Sequence, residues 1–189
     1  MPSTPLTLTL PQFPSSPLHL SLYTNVTNAP TIRSQLLSGN TAYSYAFLDP
    51  STILSISHVL AAVYRALTER EAGTMRTRTV NSEIVFSMAP SMNIGDALKR
   101  FGVKDESTAL FVVKVADEAE DVVGAEEVGV ALESIVEGES VALCDDALQA
   151  LTDIEVVRKN YKIPQGVVLN DRIAAAQIVT GAIALRGYS

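Results

Sequence analysis

The chain has 189 residues, 47% of them hydrophobic, and a formal net charge of −7. This length is enough to bury one self-sufficient core, so residues 17–189 are predicted to form a single domain after a proline-rich segment at residues 1–16. No apolar run approaches the roughly 20 residues that cross a bilayer. The first residues also lack the features of a secretory signal, and no membrane partner is expected.

Cys144 is the only cysteine. One thiol excludes an intrachain disulfide and a zinc site built from cysteines. It fits a reducing compartment, so we expect the protein in the nucleus and the cytoplasm.

The charge is unevenly distributed along the chain. Residues 115–157 contain 13 Asp and Glu and no Lys or Arg, whereas residues 65–104 contain seven basic and four acidic residues. A net negative charge argues against nucleic-acid binding by the whole surface, because Lys and Arg contacts to phosphates supply most non-specific affinity. The chain nevertheless has one mildly basic stretch beside an acidic one.

The first half of the chain alternates strand and helix patterns. Residues 18–23 alternate apolar and polar side chains and predict a strand, and residues 28–37 predict a helix that Gly39 ends in a left-handed conformation. Residues 41–48 are rich in aromatic residues and predict a core strand. Apolar spacing from Ile56 predicts a helix that Ser55 or Ser57 caps and that ends before Gly73.

The second half begins with another predicted strand at residues 80–88. Asn93 then caps a helix that Gly102 closes, and residues 109–115 predict a central strand because they are so hydrophobic. A helix is expected at residues 123–136, and another runs from Asp145 or Asp146 to about residue 160. The last helix begins at Asn170 or Asp171, reaches about residue 185, and is apolar enough to be buried in the core or under a partner.

The candidates for catalysis are few. His19 and His58 lie outside any motif and are interpreted as surface or capping histidines. Cys144 follows an apolar segment and is interpreted as a buried, unreactive thiol. No glycine-rich phosphate loop is present. The pattern favours a binding module with no catalytic residues, and the alternative is a small cytosolic hydrolase that uses Cys144 or His58.

Residues 75–103 resemble the small-subunit family of the KEOPS complex, also called EKC, whose members are TPRKB-like proteins. The matching pieces are Arg-Thr-Arg-Thr at residues 76–79, Asn-Ser-Glu-Ile at 81–84, Pro-Ser at 90–91, and Ala-Leu-Lys-Arg-Phe-Gly at 97–102. The preceding segment 60–67 resembles the family's helix at that place. The likeness extends over residues 57–113, but the segments 117–127 and 1–16 do not align with it.

The resemblance implies an α/β domain of the α+β type, with a mainly antiparallel sheet of four to five strands covered by helices. It also implies that the chain binds the complex's small atypical kinase and, through it, the other subunits. Further implications are support for threonylcarbamoyl-adenosine formation on tRNA, contact with the tRNA 3′ end, and a link to telomere maintenance. No cofactor and no metal are expected.

A tRNA contact is expected at basic residues of the resembling segment, because guanidinium groups bind phosphates in a bidentate manner. A solvated helix face and loop would explain the same pattern. Tyr64 and Phe101 are the nearby aromatic residues and are assigned to the core. The candidates for the tRNA contact are Arg70, Arg76, Arg78, Lys99, Arg100 and Lys104.

The kinase interface is expected on the last helix, since buried apolar anchors carry most of the binding energy of an interface. Exposed apolar side chains there are the candidates, namely Ile173, Ile178 and Ile183. Packing in the core of the chain itself would explain them equally well. A third interpretation is a standalone RNA-binding module.

Overall fold

The computed structural model describes residues 3–116, 124–169 and 171–187. Five strands and eight α-helices are found in them, together with two short 3-10 turns. In chain order the elements are β1 (Leu6–Leu8), β2 (Leu18–Thr24), α1 (Ala29–Ser38), β3 (Ala46–Leu48), α2 (Ile56–Glu71), α3 (Val80–Ser87), α4 (Ile94–Phe101), β4 (Leu110–Val115), α5 (Ala125–Ile135), β5 (Glu139–Val141), α6 (Asp145–Leu151), α7 (Ile154–Asn160) and α8 (Arg172–Ala184).

The chain divides into two compact units. Unit 1 comprises Met1–Asp49 and Val103–Leu143, and unit 2 comprises Pro50–Gly102 and Cys144–Ser189. All five strands lie in unit 1, whereas unit 2 contains six of the helices, α2–α4 and α6–α8. The division into a proline-rich segment and one domain remains a prediction.

The strands of unit 1 form one antiparallel sheet in the order β1-β2-β4-β3, and β5 pairs with β2 beside β1. The pairs Leu20–Val113 and Ala46–Val113 fix the register on both sides of β4. This strand is therefore central, as its hydrophobic sequence indicates. The α+β class with an antiparallel sheet of five strands is confirmed.

One face of the sheet carries the core of unit 1. Tyr23, Phe47 and Val112 come from three neighbouring strands and are buried, because their positions along each strand share one face. Ile32 of α1 and Leu132 of α5 belong to the same cluster. Burying each of these side chains stabilises the unit by about 1.5–3 kcal/mol, so α1 and α5 are held on the sheet mainly by apolar contact.

Helix α2 is the centre of unit 2. It packs against α3 and α8, and α3 in turn packs against α4. Its buried residues, His58, Val59, Ala62, Val63, Ala66 and Leu67, follow helical spacing along one broad stripe. The predicted caps place its ends correctly, because the Ser55 hydroxyl accepts a hydrogen bond from the His58 amide and Gly73 adopts a positive φ of 66°.

Other predicted helix ends are also confirmed. Gly39 has a φ of 73° and closes α1 in the left-handed conformation. The side chains of Asn93 and Asp171 accept hydrogen bonds from the first amides of α4 and α8. Gly102 follows α4 as predicted, although its backbone is extended.

The strand predicted at residues 80–88 is wrong, because the segment is helix α3. Five consecutive residues of this helix, from Glu83 to Ser87, are buried. A helix buried on all sides produces a continuous apolar run that its sequence pattern does not distinguish from a buried strand. The missed signal for a helix is Thr79. Its hydroxyl accepts a hydrogen bond from the Ser82 amide and caps the helix.

The strand predicted at residues 41–48 is correct only for its last part. Residues 41–43 form a 3-10 turn, and Asn40 starts it by accepting a hydrogen bond from the Ala42 amide. The strand β3 is limited to Ala46–Leu48. A local side-chain bond therefore prevailed over the β propensity of Thr41 and Tyr43.

The single helix predicted between residues 145 and 160 is divided into α6 and α7. Thr152 donates from its hydroxyl to the carbonyls of Leu148 and Ile53, and Asp153 begins a new helix by accepting two amide hydrogen bonds. Cys144, and not Asp145 or Asp146, precedes α6 as its N-cap. Asp145 accepts a hydrogen bond from the Ile56 amide at 2.7 Å.

Two features of the sequence fall outside the described residues. They are residues 117–123, which include part of the acidic stretch and the predicted first residue of α5, and Asn170. Within the described residues, none of the helices has the length and apolar character that crossing a membrane requires.

Asn28 is expected to contribute strongly to the stability of unit 1. Its side-chain amide donates to the Ile135 carbonyl at 2.9 Å, and its side-chain oxygen accepts from the Glu137 amide at 3.0 Å. Asn28→Ala leaves both backbone groups without this partner and should lower the free energy of unfolding by about 1–3 kcal/mol. Urea unfolding measures the loss.

Asn40→Ala is the matched control, because it also removes two side-chain hydrogen bonds, to Ala42 and Gln35. These bonds are exposed and local, so their loss should cost less than that at Asn28. Equal losses in the two variants would contradict the role given to Asn28.

Candidate functional site

A candidate binding surface is the open groove between α2 and α8, with a volume of about 770 Å³. Small side chains form most of both walls, namely Ala61, Thr68 and Ala72 on the α2 side and Thr180, Gly181 and Ala184 on α8. Each residue lies three, four or seven positions from another member of its set, which puts each set on one helix face. The groove is therefore a shallow, mostly apolar channel that an extended or helical segment can enter.

The C-terminal end of α8 is fixed by Arg65 of α2. The Arg65 guanidinium donates to the carbonyls of Ile183 at 2.6 Å and Arg186 at 2.9 Å. It also pairs with Glu69 at 2.9 Å, one helical turn away on α2. Because the last carbonyls of a helix have no partner within the helix, a cation there satisfies them and favours the helix dipole.

Arg186 is buried just after α8, and its side chain is 0% exposed. Its guanidinium lies 4.0 Å from the centre of the Phe86 ring and donates to the Phe86 carbonyl at 2.6 Å. Glu69 lies 3.5 Å away. Burial and the neighbouring Arg65 lower the pKa of Arg186, while the carboxyl groups of Glu69 and Glu83 oppose that shift.

The candidates for the kinase interface differ in exposure. Ile173 is 74% exposed and Ile178 is 40% exposed, so both are available to a partner. Ile183 is 1% exposed, so its expected exposure is wrong, although it is among the residues that line the groove. Leu185, which the sequence analysis did not single out, is 67% exposed.

Three of the basic candidates lie on exposed parts of unit 2. Arg76 and Arg78 belong to the loop before α3, and Lys99 lies on α4. All three side chains are exposed, and none forms an ion pair with another of the described residues. They are therefore the basic side chains most available to an anionic partner.

Arg100 and Lys104 are more constrained. Arg100 pairs with Asp96 at 2.8 Å, one helical turn earlier on α4. Lys104, in unit 1, pairs with Asp49 at 2.5 Å. Arg70 is half-buried near the end of α2. An anionic ligand would have to compete with existing carboxylate contacts at Arg100 and Lys104.

The two aromatic residues near the basic segment are not alike. Phe101 is 0% exposed and lies in the core, as expected. Tyr64 is 43% exposed and lines the groove, so its assignment to the core is wrong. An exposed aromatic ring beside an apolar channel is a typical anchor at a protein interface.

His58 is not at the surface, contrary to the sequence-based interpretation, because its side chain is 0% exposed. The Leu54 amide donates to His58 Nδ1 at 3.2 Å, which leaves the proton on Nε2. Nε2 lies 2.7 Å from the Tyr161 hydroxyl, and that hydroxyl donates to the Met88 carbonyl at 2.5 Å. Both ring nitrogens are occupied, and burial lowers the His58 pKa to about 3.

Cys144 is exposed, so the buried thiol expected from the sequence is wrong. Its sulfur accepts from the Ala147 amide at 3.4 Å at the start of α6, and His58 makes its contacts elsewhere. His19, in unit 1, is 5% exposed and lies 3.0 Å from the Thr7 hydroxyl, so it is not a surface histidine either. The structure thus does not bring a histidine to the thiol.

Among residues 3–116, 124–169 and 171–187, no group of three or more His, Cys, Asp and Glu side chains is placed to hold a metal ion. The site in unit 2 consists of an apolar groove and an exposed basic loop. Surfaces of these two kinds bind a protein segment or an anionic chain.

Comparison with known proteins agrees with a binding role. The model of the family described as "Kinase binding protein CGI-121" matches residues 23–187. An "EKC/KEOPS complex subunit cgi121" from Aspergillus fumigatus is 42% identical over 183 residues, which cover 96% of this chain and 96% of that protein. A similar subunit from Yarrowia lipolytica is 40% identical over 95% of this chain and 98% of that protein. One from Schizosaccharomyces pombe is 38% identical over 95% of this chain and 99% of that protein.

A match over most of the chain, at about 40% identity to several relatives, shows the family. The chain belongs to the CGI-121 family of kinase-binding proteins. The resemblance noted at residues 57–113 is confirmed and extends well beyond that segment.

Sequence reasoning missed the groove and Glu83. Many of the groove residues are Ala, Thr and Gly, which carry no chemical signal of their own, and the packing of α2 on α8 brings them together. Glu83 lies in the segment that the sequence predicts as a strand. A carboxyl group followed by Ile84, Val85 and Phe86 was nevertheless a sign of a buried charge that needs partners.

The stability of the protein should fall as the pH drops below about 6.5, in part because of His58. The folded pKa of about 3 lies below the ordinary value of 6.5, so between these values the unfolded chain binds the extra proton. The contribution of neutral His58 to the free energy of unfolding is thus fully present above pH 6.5 and is lost as the pH falls. The contribution amounts to about 2–3 kcal/mol by pH 4.5.

His58→Gln keeps a donor and an acceptor but cannot titrate in this range. Urea unfolding from pH 8 to pH 4.5 should show a smaller loss for the variant than for the wild-type chain. Between pH 7.5 and pH 8 the difference between the two proteins should be constant, because His58 is neutral in both states there. Identical slopes below pH 6.5 would rule out His58 as the cause.

Proposed function

We propose that the chain is a non-catalytic subunit of the EKC/KEOPS complex that binds the complex's small atypical kinase through the groove between α2 and α8. The family match over residues 23–187 carries this proposal. The relatives' names place them in that complex, and the kinase is the partner that the family description implies.

The form of the groove supports this docking site. Its walls include small side chains on both helices, so a partner segment can approach the helix backbones closely there and bury apolar surface on both sides. Tyr64 and Ile178 offer exposed apolar groups at or beside the groove. The charged wall residues Arg65 and Glu69 already pair with each other, so a partner need not supply a charge to satisfy them.

Gly181→Leu should block the groove without disturbing the fold. A Cβ atom added at Gly181 meets nothing within 4 Å, and the residue lies inside α8, where leucine is a better helix former than glycine. The leucine side chain then occupies the channel, and we expect affinity for the purified kinase to fall by about tenfold or more. Calorimetric titration measures the dissociation constant.

Gly181→Ala tests helix propensity without filling the channel and should bind within about twofold of the wild-type chain. Gly166→Leu adds the same side chain in open space outside α8 and should also bind normally. Unchanged kinase binding by Gly181→Leu would exclude the groove as the docking site. Absence of binding by the wild-type chain at micromolar concentrations would overturn the proposed function itself.

We also propose that the chain helps to hold tRNA, including its 3′ end, for threonylcarbamoyl-adenosine formation within the complex. Arg76, Arg78 and Lys99 support this role because they are exposed and make no ion pair with the described residues. Arg100 and Lys104 are weaker candidates, since Asp96 and Asp49 hold them. The net charge of −7 makes tRNA binding by the isolated chain weaker than binding by the complex.

Replacing Arg76 and Arg78 together by Ala should weaken tRNA binding by the chain–kinase complex at every salt concentration. Each lost phosphate contact should also reduce the salt dependence of the affinity by about one unit of slope. Filter binding at several salt concentrations measures both quantities.

Arg33→Ala is the control for this experiment, because Arg33 is also exposed but pairs with Asp105 in unit 1. It should leave the slope unchanged. If the double variant keeps the wild-type slope and affinity, these two arginines do not contact tRNA.

The positions of His58 and Cys144 support a non-catalytic role. A nucleophilic thiol requires a base within hydrogen-bonding distance, whereas both nitrogens of His58 contact Leu54 and Tyr161. A hydrolytic activity of the purified chain that disappears on Cys144→Ser would contradict this part of the proposal.

A further inference from the structure

The loop before α3 is tied to one buried carboxyl group. Glu83 lies in the first turn of α3 and is 0% exposed. Its Oε2 atom accepts hydrogen bonds from the Arg76 amide at 3.1 Å, the Thr77 amide at 2.8 Å and the Thr77 hydroxyl at 2.6 Å. One oxygen atom therefore accepts three hydrogen bonds from two successive loop residues.

Burial does not hold the loop, so its shape depends on these bonds together with those from the Thr77 hydroxyl to the Thr79 carbonyl and from the Ser82 amide to the Thr79 hydroxyl. Arg76, Arg78 and Thr79 are exposed, and Thr77 is only half-buried. No apolar side chain of residues 76–79 anchors the segment in the core. A buried carboxyl group that loses its donors is costly, so Glu83 and the two loop amides constrain each other.

The other side of Glu83 faces the charged cluster of α2 and α8. Its Oε1 atom is buried and has no hydrogen-bond donor among the described residues, and its carboxyl group interacts with that of Glu69. Burial opposes ionisation of Glu69, but Glu83, Arg65 and Arg186 outweigh it and lower the Glu69 pKa.

We propose that Glu83 is a positioning residue that holds the loop at residues 76–79 in the shape that presents Arg76 and Arg78 to RNA phosphates. The inference rests on the proposed contact with tRNA and deepens it. It assigns to a residue that is 0% exposed control over two surface arginines. Lys99 on α4 is outside this control, since it is not on the loop.

Trypsin reports on the loop directly, because it cleaves after exposed arginines in flexible segments. In Glu83→Ala the three bonds to Oε2 are lost, and cleavage after Arg76 and Arg78 should be about tenfold faster at a temperature where the chain remains folded. Glu83→Gln keeps an acceptor oxygen for the loop and directs an N–H group toward Glu69. Its cleavage should stay within about twofold of the wild-type rate.

Ile84→Val is the matched control, since Ile84 is buried in α3 beside Glu83 but makes none of these bonds. It destabilises the helix without opening the loop, so cleavage at the two arginines should not change. Should Glu83→Ala fail to fold, Thr77→Val removes only the hydroxyl donor and should give a smaller increase. A wild-type cleavage rate in the loop variants, or Glu83→Gln behaving as Glu83→Ala does, would overturn the inference.

Binding of tRNA to the chain–kinase complex provides the second measurement. Glu83→Ala should weaken the affinity about fivefold, and Glu83→Gln should restore it. If the wild-type complex binds tRNA and Glu83→Ala binds it equally well with an opened loop, the positioning role is wrong while the proposed function survives. If the wild-type complex binds no tRNA, the proposed tRNA contact fails and this inference fails with it.

Discussion

The charged cluster of Arg65, Glu69, Glu83 and Arg186 fixes the arrangement of unit 2. A buried ion costs several kcal/mol unless partners replace its hydration, and the Arg186 side chain is 0% exposed. These partners come from two helices, because Glu69 lies on α2 and the Phe86 ring and carbonyl belong to α3, and they bind a residue that follows a third helix, α8. Apolar packing alone would tolerate sliding of these helices, whereas directional bonds to one guanidinium do not.

Both candidate binding surfaces depend on this cluster. Arg65 and Glu69 line the groove, and Arg65 also fixes the end of α8 that forms the opposite wall. Glu83 affects the cluster electrostatically, because it lowers the Glu69 pKa, and it accepts hydrogen bonds from the basic loop. The hydrogen bonds of Arg65 therefore hold the groove, and those of the neighbouring Glu83 hold the loop.

The sequence predicts elements well where local chemistry decides them. Ser55, Asn93 and Asp171 cap their helices as side chains of their type do, and the hydrophobic β4 lies between two other strands. Prediction fails where tertiary contact decides, as in α3, which is buried on all sides and has the apolar pattern of a strand. It fails for the groove for the same reason, because Ala61 and Gly181 are 120 positions apart in the sequence and neither has a distinctive side chain.

Because both binding surfaces depend on the charged cluster, only some substitutions can separate an effect on binding from an effect on folding. Replacing Arg65 or Glu69 changes the groove wall, but it also removes partners of Arg186 and of the α8 carbonyls, so lost binding would have two explanations. Gly181 and Arg78 carry no such ambiguity. The first borders open space and the side chain of the second forms no ion pair with the described residues, so changes there alter what a partner meets and leave the buried cluster in place.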